Sequence, residues 1–152
     1  MISGSPGTGK SSVAASFADA ASSRGERVLY ASFEESEDQI IRNMKSIGLE
    51  LARWTRKGLL RFHCVRPHTY GLEGHLASLY AAIAEHAPHA VVVDPISDFD
   101  SIGPVHQVRA MLTRLTDHLK AENVTAFFTS LVSHADTVEN TEVGISSVID
   151  TW

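Results

Sequence analysis

Apolar residues fall into two kinds of segment along the chain, short continuous ones and longer ones with helical spacing. The continuous segments predict buried strands at residues 27–33, 59–65, 90–94 and 124–129. The spaced segments predict helices at residues 11–24, 36–48, 51–56, 76–86 and 105–121. Strands that are apolar throughout and alternate with helices are typical of parallel sheets covered on both faces. The pattern therefore predicts an α/β fold of three layers with a mostly parallel central sheet.

Polar and glycine residues mark where several of these elements begin and end. Gly25 follows the first helix and is predicted to end it in a left-handed conformation. Ser36 is suited to cap the second helix, and Gln39 three residues later completes the pattern of a capping box. Residues 67–74 contain proline and glycine and are predicted to form a loop.

Composition narrows the class of protein. The chain has 152 residues, enough for one domain, and 43% of them are hydrophobic and 20% charged, as in soluble globular proteins. The net charge is −5 without a basic run, so nucleic acid is not an expected partner of this chain alone. The single cysteine, Cys64, excludes an internal disulfide. No apolar run approaches the roughly 18 residues of a membrane span, so we expect a cytoplasmic protein without a membrane partner.

The most informative motif is the pattern Gly-x-x-x-x-Gly-Lys-Ser at residues 4–11. Its glycines allow turns that a side chain would block, so successive backbone N–H groups can point at phosphate oxygens. Lys10 supplies an ammonium for the β and γ phosphates, and the Ser11 hydroxyl is suited to ligate Mg²⁺. The sequence therefore predicts a nucleotide-binding loop formed by Gly4, Ser5, Pro6, Gly7, Thr8, Gly9, Lys10, Ser11 and Ser12.

The position of this loop bears on the ends of the chain. A phosphate-binding loop normally follows a buried strand, yet only three residues precede Gly4. At the other end the chain stops at Trp152, within an apolar segment. We therefore expect residues 1–152 to be a single domain truncated at both ends, with its first strand and its C-terminal strands missing.

A second candidate for the metal site is Asp94, which ends the apolar segment 90–94. A carboxylate at the end of a buried strand beside a phosphate loop is the usual partner of Mg²⁺ in such proteins. The alternative interpretation is a cap or turn residue before Pro95. With the loop present, we predict that Ser11 and Asp94 serve the metal.

Two adjacent carboxylates, Glu34 and Glu35, end the predicted strand 27–33. In a parallel sheet that strand end lies near the γ-phosphate, where a carboxylate can orient or deprotonate an attacking water or hydroxyl. The alternative is an acidic approach to the helix that Ser36 caps, because carboxylates favour helix N-termini. The sequence leaves both interpretations open, and we take Glu34 and Glu35 as the catalytic candidates.

Several separated segments together resemble one known family. They are Phe-Glu-Glu-Ser at residues 33–36, Ile-Arg-Asn at 41–43, Gly-Leu-Glu-Gly-His-Leu at 71–76, Val-Asp at 93–94 and Glu-Val-Gly-Ile-Ser-Ser-Val-Ile-Asp-Thr at 142–151. In this order, and over essentially the whole chain, they resemble the KaiC family of RecA-like ATPases.

The resemblance implies a RecA-like P-loop fold that assembles into a homo-oligomeric ring, commonly a hexamer, with ATP and Mg²⁺ between subunits. It also implies that Glu34 and Glu35 are catalytic. Some family members phosphorylate themselves on two adjacent hydroxyl residues, which match Ser146 and Ser147 here. The alternative is that this domain only hydrolyses ATP. The chain departs from the family in carrying Ser-Ser where the best-known clock protein has Ser-Thr, and in Pro95 after Asp94.

Three functions follow as hypotheses. The first is a KaiC-like ATPase with serine autokinase activity in signalling or circadian-type timing, with regulatory or signalling proteins as partners. The second is a DNA-dependent ATPase of the recombinase or helicase type, which the acidic net charge disfavours. The third is a regulatory module in which ATP holds a ring together.

Overall fold

The computed structural model describes residues 1–132. Within that part of the chain, five strands alternate with five α-helices and two short 3₁₀ helices, at Pro67–Thr69 and Ile96–Ser101. In chain order the strands and α-helices are β1 (Ile2–Gly4), α1 (Lys10–Ser23), β2 (Val28–Ser32), α2 (Glu37–Ser46), α3 (Ala52–Arg56), β3 (Leu60–Cys64), α4 (Leu72–His86), β4 (Ala90–Asp94), α5 (Val105–Ala121) and β5 (Thr125–Leu131).

The strands form one sheet in the order β1-β5-β4-β2-β3, and each neighbouring pair is parallel. All strands therefore end at the same edge of the sheet. The loop after β1, the glutamates after β2 and the aspartate that ends β4 all lie at that edge. The fold thus brings together the three features that the sequence singled out.

Apolar residues cover both faces of the sheet and form two cores. On one face Tyr30 and Val92 pack with buried residues of α1, α2 and α3. On the other, Leu29 and Val91 pack with buried residues of α4 and α5. Strands buried on both sides need apolar residues at every position, which is why their segments read as continuous rather than alternating. The predicted three-layer α/β fold is confirmed.

Most element boundaries agree with the sequence pattern. Strand β4 and helix α5 have the predicted bounds, and Gly25 follows α1 with a φ of +84°. Ser36 caps α2, accepting from the Gln39 backbone while the Gln39 side chain accepts from the Ser36 backbone, so the capping box is confirmed.

The prediction of a loop over residues 67–74 is wrong at its second half. Helix α4 begins at Leu72, directly after its N-cap Gly71, so Gly74 lies in its first turn. A Cβ at Gly74 would lie 2.9 Å from the Cβ of Tyr70. This glycine therefore serves close packing against the Tyr70 side chain and does not mark a turn.

The expectation that the first strand is missing is also wrong. Residues Ile2–Gly4 form β1 and pair with β5 in parallel, with Ile2 opposite Thr129. The expectation about missing C-terminal strands concerns the chain beyond residue 132 and stays a prediction.

None of the helices within residues 1–132 is both long and apolar enough to cross a membrane.

Candidate nucleotide-binding site

The loop between β1 and α1 is shaped by its glycines and closed by its own hydrogen bonds. Gly7 and Gly9 have φ angles of +78° and +83°, which L-residues with side chains rarely adopt. The Thr8 hydroxyl donates to the Ser5 carbonyl oxygen at 2.8 Å. A Cβ at Gly4 would lie 2.9 Å from that same hydroxyl oxygen. Backbone freedom and close approach thus both require glycine in this loop.

Lys10 is folded into the centre of the loop. Its Nζ donates to the carbonyl oxygens of Gly4 and Ser5, each at 2.7 Å, and only 8% of the residue is exposed. Burial lowers the pKa of its ammonium, and the negative charges of Asp94 and Glu34 oppose that shift. The loop therefore carries a cation held by its own backbone and close to two carboxylates.

A cavity of about 440 Å³ opens beside the loop and joins it to the acidic strand ends. The residues that line it are Pro6, Gly7, Gly9, Lys10, Ser11, Ser12, Glu34, Asp94, Pro95 and Leu131. Most of the predicted loop residues thus face one cavity. The others, Gly4, Ser5 and Thr8, take part in the hydrogen bonds that shape the loop and hold Lys10.

Asp94 is nearly buried, with 7% of the residue exposed, and both of its carboxylate oxygens accept hydrogen bonds from neighbouring strands. The hydroxyl of Tyr30 on β2 donates to Oδ2 at 2.6 Å, and the hydroxyl of Thr129 on β5 donates to Oδ1. Burial, and then the charge of Asp94, raises the pKa of Tyr30 well above its usual value, which keeps this hydroxyl a donor. These hydrogen bonds join Asp94 to the neighbouring strands. A cap or turn residue, the alternative interpretation of Asp94, would instead bond to the backbone after Pro95.

The structure separates the two glutamates. Glu34 lines the cavity with Lys10, whereas Glu35 lies in a smaller neighbouring cavity of about 90 Å³. There Glu35 Oε1 accepts from Nδ2 of Asn43 at 2.9 Å, and its backbone N–H donates to the Ser32 hydroxyl at 3.1 Å. Only Glu34 therefore faces the phosphate loop, although the two residues are adjacent in sequence.

The ionisation of Glu34 is shifted by its surroundings. Burial raises the pKa of the carboxyl, and the charges of Asp94 and Glu35 raise it further. Lys10 and Arg66 oppose the shift. A raised pKa makes an ionised carboxylate a stronger base, so Glu34 is better suited than an ordinary surface glutamate to accept a proton.

Sequence reasoning missed two residues beside Glu34. The Arg66 guanidinium donates to the Glu34 backbone carbonyl. Asp98, in the 3₁₀ helix after β4, has a pKa raised to about 7 by burial and by the charges of Glu34 and Asp94, in that order. The density of acidic residues at 94–100 was a signal for Asp98, but a single 3₁₀ helix leaves no apolar periodicity that would have placed it.

The oxygen donors around the cavity fit Mg²⁺ bound together with phosphates. Ser11 offers a hydroxyl and Asp94 a carboxylate, and both line the cavity. Residues 1–132 contain no group of three or more His, Cys, Asp or Glu side chains that could hold a metal ion. Mg²⁺ is usually held by one or two protein ligands with phosphates and waters, so a donor set of this size suits it.

The two predicted phosphate acceptors, Ser146 and Ser147, lie outside the described residues.

The glycine loop at the start of α1, combined with this parallel sheet, defines the class of protein as a RecA-like P-loop nucleotide-binding domain. Over residues 1–151 the chain matches the family model described as "ATPase: KaiC". The chain belongs to the KaiC family of ATPases.

Individual relatives agree with this assignment. The chain is 42% identical over 154 residues to the circadian clock protein KaiC2 of Synechocystis sp., an alignment that covers 100% of this chain and 27% of the relative. It is 34% identical over 130 residues to KaiC3 of the same organism, covering 86% of this chain and 26% of the relative. It is 32% identical over 152 residues to the circadian clock oscillator protein KaiC of Acaryochloris marina, covering 99% of this chain and 29% of the relative. The chain thus spans less than a third of the length of each.

Proposed function

We propose that this domain binds ATP with Mg²⁺ and hydrolyses it, with Glu34 as the catalytic base. The observation that carries the proposal is that Glu34, Lys10 and Ser11 line one cavity while Glu35 is turned away towards Asn43. Phosphoryl transfer needs little covalent help from the protein and depends on positioning and charge stabilisation. This cavity offers a cation, a metal-binding hydroxyl and a base.

The chemistry assigned to each side chain follows from its position. Glu34 orients a water and accepts its proton as the oxygen attacks the γ-phosphorus, and the bond to the β–γ bridging oxygen breaks to release ADP and phosphate. The Lys10 ammonium stabilises the charge that develops on the phosphate oxygens. Ser11 and Asp94 would hold Mg²⁺, which supplies further charge neutralisation when bound.

We further propose that the full-length protein transfers phosphate to its own Ser146 and Ser147. A serine hydroxyl then takes the place of water, Glu34 accepts its proton, and the products are phosphoserine and ADP. The resemblance of the segment 142–151 to the family supports this step. A ring of six subunits belongs to the same proposal and rests on the resemblance to the family alone. A role in timing or signalling is supported by relatives whose names contain "circadian clock".

The test compares the two glutamates in the full-length protein. Glu34→Gln keeps the size of the side chain but removes the base, and we expect ATP turnover to fall about 100-fold or more. Glu35→Gln is the matched control, since its amide oxygen can still accept from Asn43, and it should retain most of the turnover. Equal losses in both variants would contradict the assignment of the base to Glu34.

Phosphosite mapping after incubation with ATP tests the kinase step separately. We expect phosphate on Ser146 or Ser147, and none in the Ser146→Ala, Ser147→Ala double variant. A protein that hydrolyses ATP and carries no phosphate at either serine is an ATPase only. Hydrolysis that rises with added single-stranded DNA would instead favour the DNA-dependent alternative.

A further inference from the structure

Two buried hydroxyls converge on Asp94 from opposite sides of β4. Strands β2 and β5 flank β4, and Tyr30 and Thr129 donate to different oxygens of the same carboxylate. Both donors are completely buried, and neither lines the cavity beside the phosphate loop. They therefore contact the Asp94 carboxylate from the interior of the protein, on the side away from the cavity.

The pairing of the strands explains this convergence. Asp94 lies opposite Ser32 on β2, and Tyr30 lies opposite Val92, so Tyr30 and Asp94 are two positions apart on the same face. Phe128 lies opposite Val93 in the β4–β5 pair, which places Thr129 next to Asp94 along the ladder. The face is the one that packs against α1, the helix that begins in the phosphate loop.

The Tyr30 hydroxyl is not needed by the apolar core around its ring. The Tyr30 ring packs with apolar residues, and its centroid lies 5.4 Å from that of the Phe62 ring. A phenylalanine would also make these contacts. A buried hydroxyl is unfavourable unless it is hydrogen-bonded. Asp94 supplies that bond, so the feature that distinguishes tyrosine from phenylalanine at this position acts on Asp94.

We propose that Tyr30 and Thr129 are positioning residues that fix the Asp94 carboxylate for Mg²⁺ bound with nucleotide. The proposal rests on the proposed function, in which Asp94 serves the metal. With one hydroxyl on each oxygen, the plane of the carboxylate is set before any ligand binds. Each oxygen keeps a further lone pair for the metal or its water.

The experiment measures binding of the fluorescent analogue mant-ATP to the full-length protein, once with excess Mg²⁺ and once with EDTA. Tyr30→Phe removes only the hydroxyl. We expect it to weaken binding about tenfold with Mg²⁺, to raise the Mg²⁺ concentration needed for half-maximal binding, and to leave binding in EDTA unchanged. Thr129→Val should act in the same direction and tests the other strand independently, including the case in which Tyr30→Phe does not fold.

Tyr80→Phe is the matched control. The Tyr80 hydroxyl donates to the Arg114 carbonyl oxygen at 3.1 Å, away from the cavity, so this variant should bind as the unmodified protein does under both conditions. Asp94→Asn is the reference variant and should abolish most of the gain in affinity that Mg²⁺ brings.

The outcomes separate the two proposals. If Asp94→Asn loses the effect of Mg²⁺ and neither hydroxyl variant does, the positioning role is overturned and the metal role of Asp94 stands. If Asp94→Asn keeps the effect of Mg²⁺, the metal role itself fails, and the positioning role with it. Equal weakening with Mg²⁺ and with EDTA would show a general structural role for the hydroxyls and would also overturn the proposal.

Discussion

The two sides of the nucleotide-binding cavity are held together in different ways. On the phosphate-loop side the shaping contacts are local, since Lys10 and Thr8 bond to backbone oxygens of Gly4 and Ser5. On the acidic side the contacts span long stretches of chain, because Asp94 is held by Tyr30 and Thr129 from two other strands. Apart from Gly4, whose carbonyl oxygen also accepts from the Val132 backbone at 3.2 Å, the loop is thus shaped by its own residues, whereas the acidic side requires the assembled sheet.

This contrast predicts which property of the protein a substitution on each side of the cavity should change. Changes in the loop should affect nucleotide chemistry with little effect on the rest of the fold. Changes on the acidic side should alter the stability of the fold and the pKa values of the carboxyl groups as well as the chemistry.

The largest effect is expected from Lys10→Met, which keeps much of the stem but removes the ammonium. We expect ATP turnover by the full-length protein to fall about 100-fold or more, as for the loss of a donor to transition-state charge. The matched control is Lys45→Met, since Lys45 is exposed and its nearest ion-pair partner, Glu50, is 3.9 Å away. Comparable losses in the two variants would mean that the loop lysine has no special role.

A smaller effect is expected from Asp98→Asn on the pH dependence of stability. The pKa of Asp98 is raised to about 7 in the folded protein. A raised folded pKa gives stability that is present at low pH and lost as pH rises through about 7, because the buried carboxyl must then ionise. The variant should lack this loss.

Urea unfolding at pH 5 and pH 8 measures this difference. The fall in the free energy of unfolding between the two values should be smaller in Asp98→Asn by about 1 kcal/mol, after allowance for solvent screening of a partly exposed group. Asp117→Asn on α5 is the control for the loss of one negative charge. An identical pH dependence in the protein and in Asp98→Asn would contradict the expectation.

The smallest effect is expected from Arg66→Gln on the pH–rate profile. Arg66 lowers the pKa of Glu34, so removing its charge should raise that pKa and move the acidic limb of ATP turnover to higher pH by less than about one unit. Arg61→Gln is the control, because Arg61 pairs with Glu85 on the surface at 2.8 Å. A shift no larger than that of Arg61→Gln would show that the charge of Arg66 does not reach the base.

The same contrast explains which features could be predicted from the sequence. Features that depend on local contacts could be predicted, and those that depend on distant residues could not. The glycine loop could be predicted because its geometry depends on nearby residues. The central strands β2 and β4 could be predicted because nearly all of their residues are apolar. The different positions of Glu34 and Glu35 could not be predicted, since they depend on the hydrogen bond between Glu35 and Asn43 in helix α2. The role of Tyr30 was hidden for a similar reason, because it looks like any strand residue until β4 is placed beside it.

The folded position of Lys10 has a thermodynamic consequence. Its three N–H donors already have partners within the loop, the carbonyl oxygens of Gly4 and Ser5 and, at 3.4 Å, the Thr8 hydroxyl, so contact with a phosphate would exchange hydrogen bonds instead of adding them. The enthalpy measured by calorimetry should therefore be smaller than a count of the final lysine–phosphate contacts suggests. Much of the discrimination between nucleotides with two and three phosphates would then depend on how well the γ-phosphate competes with the Gly4 and Ser5 carbonyl oxygens for the Lys10 ammonium.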